Sequence, residues 1–315
     1  MRKAMGTRRL AILLVTVFLA AALAAKKKNP DDITQILDLP KDPPVVVVGQ
    51  TSRLTFHVSP LSAKGLLSQQ TREALKAIFK ENGGAQIIHI RAFVAGSGDL
   101  RRIPQIVSEI FTAKKMQLPS VSVVLAGSLQ LQDAQVVLET VSETKKEINP
   151  DGLIFIEAQP PDQLAMRLGN ATATALQVTC FVASTDNAAA LTARFPSAAV
   201  DIVQTQRSPS RPGTNCEAVA RGRNPGAAKL AFTGTQIAFG ADKAAANLAF
   251  DHLNRDLQAG GADKSGIVAT NVYALSDGVH ELIPSLPGVL TFAPVEGVAS
   301  ADGTFAVDAV AAVSR

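Results

Sequence analysis

The chain has 315 residues, enough for two or three domains with cores of their own, and its 47% apolar and 18% charged content excludes a disordered or collagen-like chain. Four of the positive charges behind the net +4 (Arg2, Lys3, Arg8 and Arg9) precede residue 25, so the remainder carries 27 basic against 27 acidic side chains. That balance, with no Trp and one Tyr, argues against a nucleic-acid-binding surface, and two cysteines exclude a disulfide-dense scaffold or a multi-cysteine zinc site.

Residues 1–9 are short and cationic, and the apolar run Leu10 to Ala25 ends in small residues with Ala22-Leu23-Ala24 as an A-x-A cleavage motif. Residues 1–25 therefore read as a secretory signal peptide, and the expected location is the periplasm or the exterior. The alternative is an uncleaved N-terminal anchor, because Lys26, Lys27 and Lys28 follow at once and resist crossing a bilayer. Residues 26–44, rich in Pro and Asp, read as a linker.

From residue 45 onward the chain repeats itself three times, over 45–145, 150–222 and 226–312. Each repeat opens with a short apolar strand: Leu54-Thr55-Phe56, Leu153-Ile154-Phe155 and Leu230-Ala231-Phe232. A helical stretch follows, marked in the third repeat by the stripe Ala246, Phe250, Leu253 and Leu257. In the middle repeat this helix, near Asp162–Leu168, has room for barely two turns. Gly83-Gly84 and Gly260-Gly261 stand where the outer two repeats should end it. Next comes a strand holding one late aromatic (Ile87–Phe93, Leu176–Phe181 and Ile267–Tyr273), then a second helix, spaced in the first repeat as Leu100, Ile103, Val107 and Ile110. Proline stops that helix at Leu118-Pro119-Ser120, Phe195-Pro196-Ser197 and Leu286-Pro287-Gly288. Two strands close each repeat: Val121–Ala126 with Val136–Val141, Ala198–Val203 with Asn215–Ala220, and Val289–Pro294 with Phe305–Val310. The expected fold class is α/β (α+β), built of three β-α-β-α-β-β units.

The run Gln70 to Leu75, then Glu81-Asn82-Gly83-Gly84, the strand to Phe93-Val94 and Val136 to Glu139 resemble the Rid (reactive intermediate deaminase) family, also called YjgF-like or L-PSP endoribonuclease. Phe232 to Gln236 resembles that family's early strand and Gly-Gln turn, and Val200–Arg221 its final strand pair. The resemblance implies a chorismate-mutase-like fold with ligand clefts between subunits, here three fused copies closed into an intramolecular pseudo-trimer. It also implies that Cys180 and Cys216 lie on neighbouring strands, as a disulfide or as two buried thiols.

Active members of that family place an arginine just before the penultimate strand, where its planar fork grips a substrate carboxylate. Here Ser120, Ser197 and Gly288 are aligned with that position and are the expected ligand-binding residues, with Arg207, and Arg211 beside it, as a relocated cation. One carboxylate recurs on the last strand: Glu139, Glu217 and Asp308, the candidate catalytic residues. Such a group orients water or acts as general base, or else forms an ion pair or faces solvent. His57, His89, His252 and His280 lack metal-ligand spacing, and Gly96-Ser97-Gly98 lacks the third glycine of a phosphate-binding turn. Neither metal nor cofactor is expected. The expected function is an exported, divergent Rid-like protein that binds a small metabolite at inter-repeat clefts; the alternative is a hydrolytic enamine or imine deaminase. The expected partner is a small molecule, with no nucleic acid, no membrane beyond the N-terminal segment, and one chain as the whole pseudo-trimer.

Overall fold

The structure, a computed structural model, describes residues 39–207, 213–223 and 228–313. The expected signal peptide, most of the linker and Arg211 lie outside the described residues. The described chain runs β1 (Val46–Gln50), β2 (Leu54–Val58), α1 (Leu67–Glu81), β3 (Gln86–Ala95), α2 (Arg102–Ala113), β4 (Ser120–Ala126), β5 (Ser128–Leu129) and β6 (Val136–Glu143). It continues with β7 (Leu153–Gln159), α3 (Pro161–Asn170), β8 (Thr174–Val182), α4 (Ala188–Arg194), β9 (Ala199–Gln204) and β10 (Thr214–Arg221). The last part comprises β11 (Lys229–Thr233), β12 (Gln236–Ala238), α5 (Lys243–Ala259), β13 (Ala262–Ala274), β14 (Val289–Pro294), β15 (Gly297–Val298) and β16 (Phe305–Val313).

These strands form three sheets with one shared order: β4-β3-β6-β2, β9-β8-β10-β7 and β14-β13-β16-β11. In each sheet the long central strand pairs parallel with the penultimate strand and antiparallel with the last. Three units with the expected strand order are thus present, closed into a pseudo-trimer, two of them β-α-β-α-β-β and the third with one α-helix. The central strands read as nearly continuous apolar runs because both faces are covered, by helices on one side and by the other units on the second. On the helix side each unit has its own core; in the first, Leu75 and Ile78 of α1 and Ile103, Ile106 and Phe111 of α2 pack on Ile87, Ile90 and Leu138. On the other side two clusters are shared by all three units: Phe93, Phe181 and Tyr273 meet in one, Phe56, Phe155 and Phe232 in the other.

The units join head to tail. β2 of the first packs on β8 and β9 of the second, β7 of the second on β13 and β14 of the third, and β11 of the third on β3 and β4 of the first. Hydrogen bonds from Gly127 to Gln204, from Gln206 to Val295 and from Glu296 to Leu125 tie successive units at one end of this ring. Gly234, following β11, lies so close to β4 that a Cβ would come within 2.8 Å of the Val121 carbonyl oxygen.

Three local expectations change. Val46–Gln50, inside the segment read as the first repeat, pairs with β11 of the third sheet and so ties the start of the first repeat to the third unit. The second helix of the third unit is a single 3₁₀ segment, Asp277–Leu282, because Gly278, Pro284 and Pro287 crowd a short connection. The first helix of the middle unit extends to Pro161–Asn170, with proline in its first turn. Cys180 and Cys216 face each other across β8 and β10 and form a disulfide. No helix among the described residues is long and apolar enough to cross a membrane.

Candidate functional site

Strand register defines what each unit sends toward the shared axis. Arg91, Thr179 and Asn271 occupy one position of the three central strands, and they face Glu139, Glu217 and Asp308 on the last strands. On the other side the same three residues face Ser122, Asp201 and Thr291 of the penultimate strands. Two residues earlier on the central strands stand His89, Gln177 and Ala269. The recurring carboxylates are therefore equivalent in the fold and meet at the axis, bounding a cavity of about 80 Å³ walled by all three units. The aromatic layer of Phe93, Phe181 and Tyr273 fills the axis beside this polar layer, and Phe56, Phe155 and Phe232 form the opposite, apolar wall.

Arg91 organises the polar layer. It is 7% exposed, and its Nε donates to Glu139 at 2.5 Å while Nη2 donates to Glu217 at 2.6 Å and to the Thr179 hydroxyl at 2.9 Å. Nη1 donates to the Tyr273 hydroxyl at 3.3 Å, so four of the five guanidinium N–H groups are engaged. The Thr179 hydroxyl in turn donates a hydrogen bond to Glu139, closing a ring of hydrogen bonds across two units. Burial acts to lower the Arg91 pKa, but the charges of Glu139 and Glu217 outweigh it and hold the guanidinium even more firmly protonated.

The carboxyls outnumber this cation. Asp201, 4% exposed, has its pKa raised well above the ordinary value, first by burial and then by the Glu139 charge beside it. Asp308, 3% exposed, is also raised, chiefly by burial, with Ser122, Arg91 and Asn271 pulling the other way. Asn271 Nδ2 donates to Asp308 Oδ1 at 2.8 Å, whereas Oδ2 closes no hydrogen bond of normal geometry and faces the Ser122 hydroxyl.

The junction of the third and first units adds a second polar pair. Ser120 Oγ lies 2.9 Å from His89 Nδ1 and 2.9 Å from the Phe232 carbonyl oxygen, and the His89 ring stacks on Phe232 with centroids 5.9 Å apart. Burial and the Arg91 charge lower the His89 pKa to about 3, so the ring is neutral at physiological pH. The hydroxyl has one proton to give; donating it to the carbonyl makes His89 Nδ1 the donor to Ser120 and leaves Nε2 an acceptor.

The remaining expected ligand residues are not brought together. Ser120 is fully buried at the start of β4, but register makes Ala199 and Val289 its counterparts. Ser197 and Gly288 fall two and one residues earlier, exposed in the turns that precede β9 and β14, so the alignment of these three positions is corrected. Gly288 has φ +79°, and a Cβ there would come within 2.5 Å of the Val268 carbonyl oxygen, which accounts for the glycine sterically. Arg207 is exposed beside Glu296 at 3.4 Å, away from the cavity walls. Arg91, Thr179, Asp201 and Asn271, by contrast, escaped the sequence reading. A single arginine in the apolar strand Ile87–Phe93 and an aspartate inside Ala-Val-Asp-Ile-Val are the signals that mark two of them.

No protein-family model and no curated protein matches the chain. Solved structures similar to it include Rv2704 of Mycobacterium tuberculosis, a member of the YjgF/YER057c/UK114 family, at 20% identity over 27% of this chain and 79% of that one, with a TM-score of 0.24. Escherichia coli TdcF with bound serine matches at 17% identity over 29% and 84%, TM-score 0.24. A chorismatase matches at 10% identity over 87% of this chain and 79% of that one, TM-score 0.45.

Proposed function

We propose that this is an exported small-molecule-binding protein on a triplicated Rid-like scaffold, which holds its ligand in the axial cavity without transforming it. The observation that carries this reading is the state of Arg91. The one cation on the cavity wall among the described residues already serves two carboxylates and two hydroxyls, so a substrate carboxylate finds no free guanidinium fork. Deaminase chemistry that begins by gripping a carboxylate is thereby disfavoured, while a cavity with polar and aromatic walls is kept. Export rests on the N-terminal charge and hydropathy pattern, and the disulfide suits an oxidising compartment.

A second reading, hydrolytic imine deamination, is favoured by Asp308 alone. A cavity carboxyl with a raised pKa is the kind of group that gives a proton to a leaving amine. The test is a ligand screen by thermal shift on the mature chain alongside Ala269→Leu, which fills the cavity from the third unit. Binding predicts hits that stabilise the parent and lose that effect in the filled variant. Hits that survive the filling would place the ligand elsewhere and overturn the assignment.

A further inference from the structure

The chemistry of the cavity wall points to one class of ligand, and this step rests on the binding reading above. Among the described residues Arg91 is the one cationic side chain on that wall, and it is offset by Glu139 and Glu217 at 2.5 and 2.6 Å. A further acid, Asp308, borders the same space, 3% exposed, with Asn271 on Oδ1 and the Ser122 hydroxyl facing Oδ2. His89 adds a neutral acceptor nitrogen. The polar side of the cavity therefore offers acceptors and a surplus of negative charge, with a single guanidinium N–H left over. Its apolar side is aromatic, with one phenylalanine from each unit: Phe56, Phe155 and Phe232. Carboxylates facing desolvated aromatic rings are the chemistry that holds organic ammonium ions, since both attract a cation that sheds its water. An anion would meet repulsion from the carboxylates and no free cation.

We infer that the cavity binds a small organic ammonium ion, its charge facing Glu217 and Asp308 and its carbon groups against the phenylalanine wall. Binding is then linked to pH. The groups facing Asp308 are Ser122 on β4, Asn271 and Tyr273 on β13, Arg91 on β3 and Glu217 on β10. Of these, Arg91 stays charged and Tyr273 stays neutral through the physiological range, since burial raises the phenol well above its ordinary value. Asp308 is thus the group whose protonation opposes a bound cation. A cation lowers its pKa and releases a proton, so affinity falls as pH drops through the raised value.

The test uses the full mature chain and probes whose own charge does not titrate near neutrality. Tetramethylammonium and methylammonium are titrated by calorimetry, with acetate as the anionic control, at several pH values. The expected result is saturable binding of the ammonium probes and none of acetate, affinity that weakens as the assay pH is lowered, and at least tenfold weaker binding by Asp308→Asn. That substitution keeps the side-chain shape and removes a buried acid, and a urea midpoint at or above the parent's shows that it folds. Phe155→Leu, at a half-buried wall position, is expected to weaken tetramethylammonium several-fold as an independent check. Saturable binding of acetate without the ammonium probes would overturn this inference while leaving the cavity a binding site. Equal ammonium affinity in Asp308→Asn, or no binding of any probe, would also overturn it, whereas the binding reading itself stands or falls on the Ala269→Leu comparison.

Discussion

Replacing Arg91 by Met isolates the interaction that organises the axis. The guanidinium sits in two ion pairs of 2.5 and 2.6 Å with Glu139, 3% exposed, and Glu217, 14% exposed by side chain. At an effective dielectric of about 20 each pair is attracted by roughly 4 kcal/mol at 4 Å between charge centres, and desolvation of three buried ions opposes most of that. Removing only the cation keeps the desolvation cost and loses the attraction, so Arg91→Met should destabilise the folded chain by about 3–5 kcal/mol at neutral pH. Urea unfolding at neutral pH measures it, and adding Glu217→Gln should recover part of the loss. A deficit below about 1 kcal/mol, as for exposed pairs, would refute the reasoning.

Asp201→Asn should be neutral or stabilising at neutral pH, because the acid's raised folded pKa makes its contribution shrink as pH rises; thermal unfolding of parent and variant should converge at low pH and separate above it. Losing the disulfide in a Cys180→Ala, Cys216→Ala double variant should cost about 3–4 kcal/mol, given the 36-residue separation, read from urea midpoints. Gly288→Ala should destabilise by at least about 1–3 kcal/mol through its positive φ and the Val268 carbonyl, read from urea midpoints.

Much of the architecture is legible in the sequence because burial of one face leaves a local period. The stripes Leu100–Ile110 and Ala246–Leu257 mark helix faces, and prolines 119, 196 and 287 punctuate each unit before its penultimate strand. The carboxylates at 139, 217 and 308 were readable for the same reason, as one strand position repeated three times. Arg91 was not, because its partners lie 48, 88, 126 and 182 residues away and come from all three units. Periodicity reports which face is buried, and it is silent on which distant strand is pressed against that face. The pairing of β1 with the third sheet escaped on the same ground, since Val46–Gln50 is an ordinary apolar strand until β11 supplies its partner. Aligning on proline rather than on strand register placed Ser197 and Gly288 beside Ser120, an error of one or two residues that only hydrogen-bond pairing corrects.

The most direct test of the account is imine hydrolysis by the purified mature chain, with several 2-imino acids generated in situ and the Glu217→Gln and Asp308→Asn variants in parallel. The account predicts decay at the uncatalysed rate for all three proteins. Turnover by the parent that is lost in either variant would contradict it and make the axial cavity an active site.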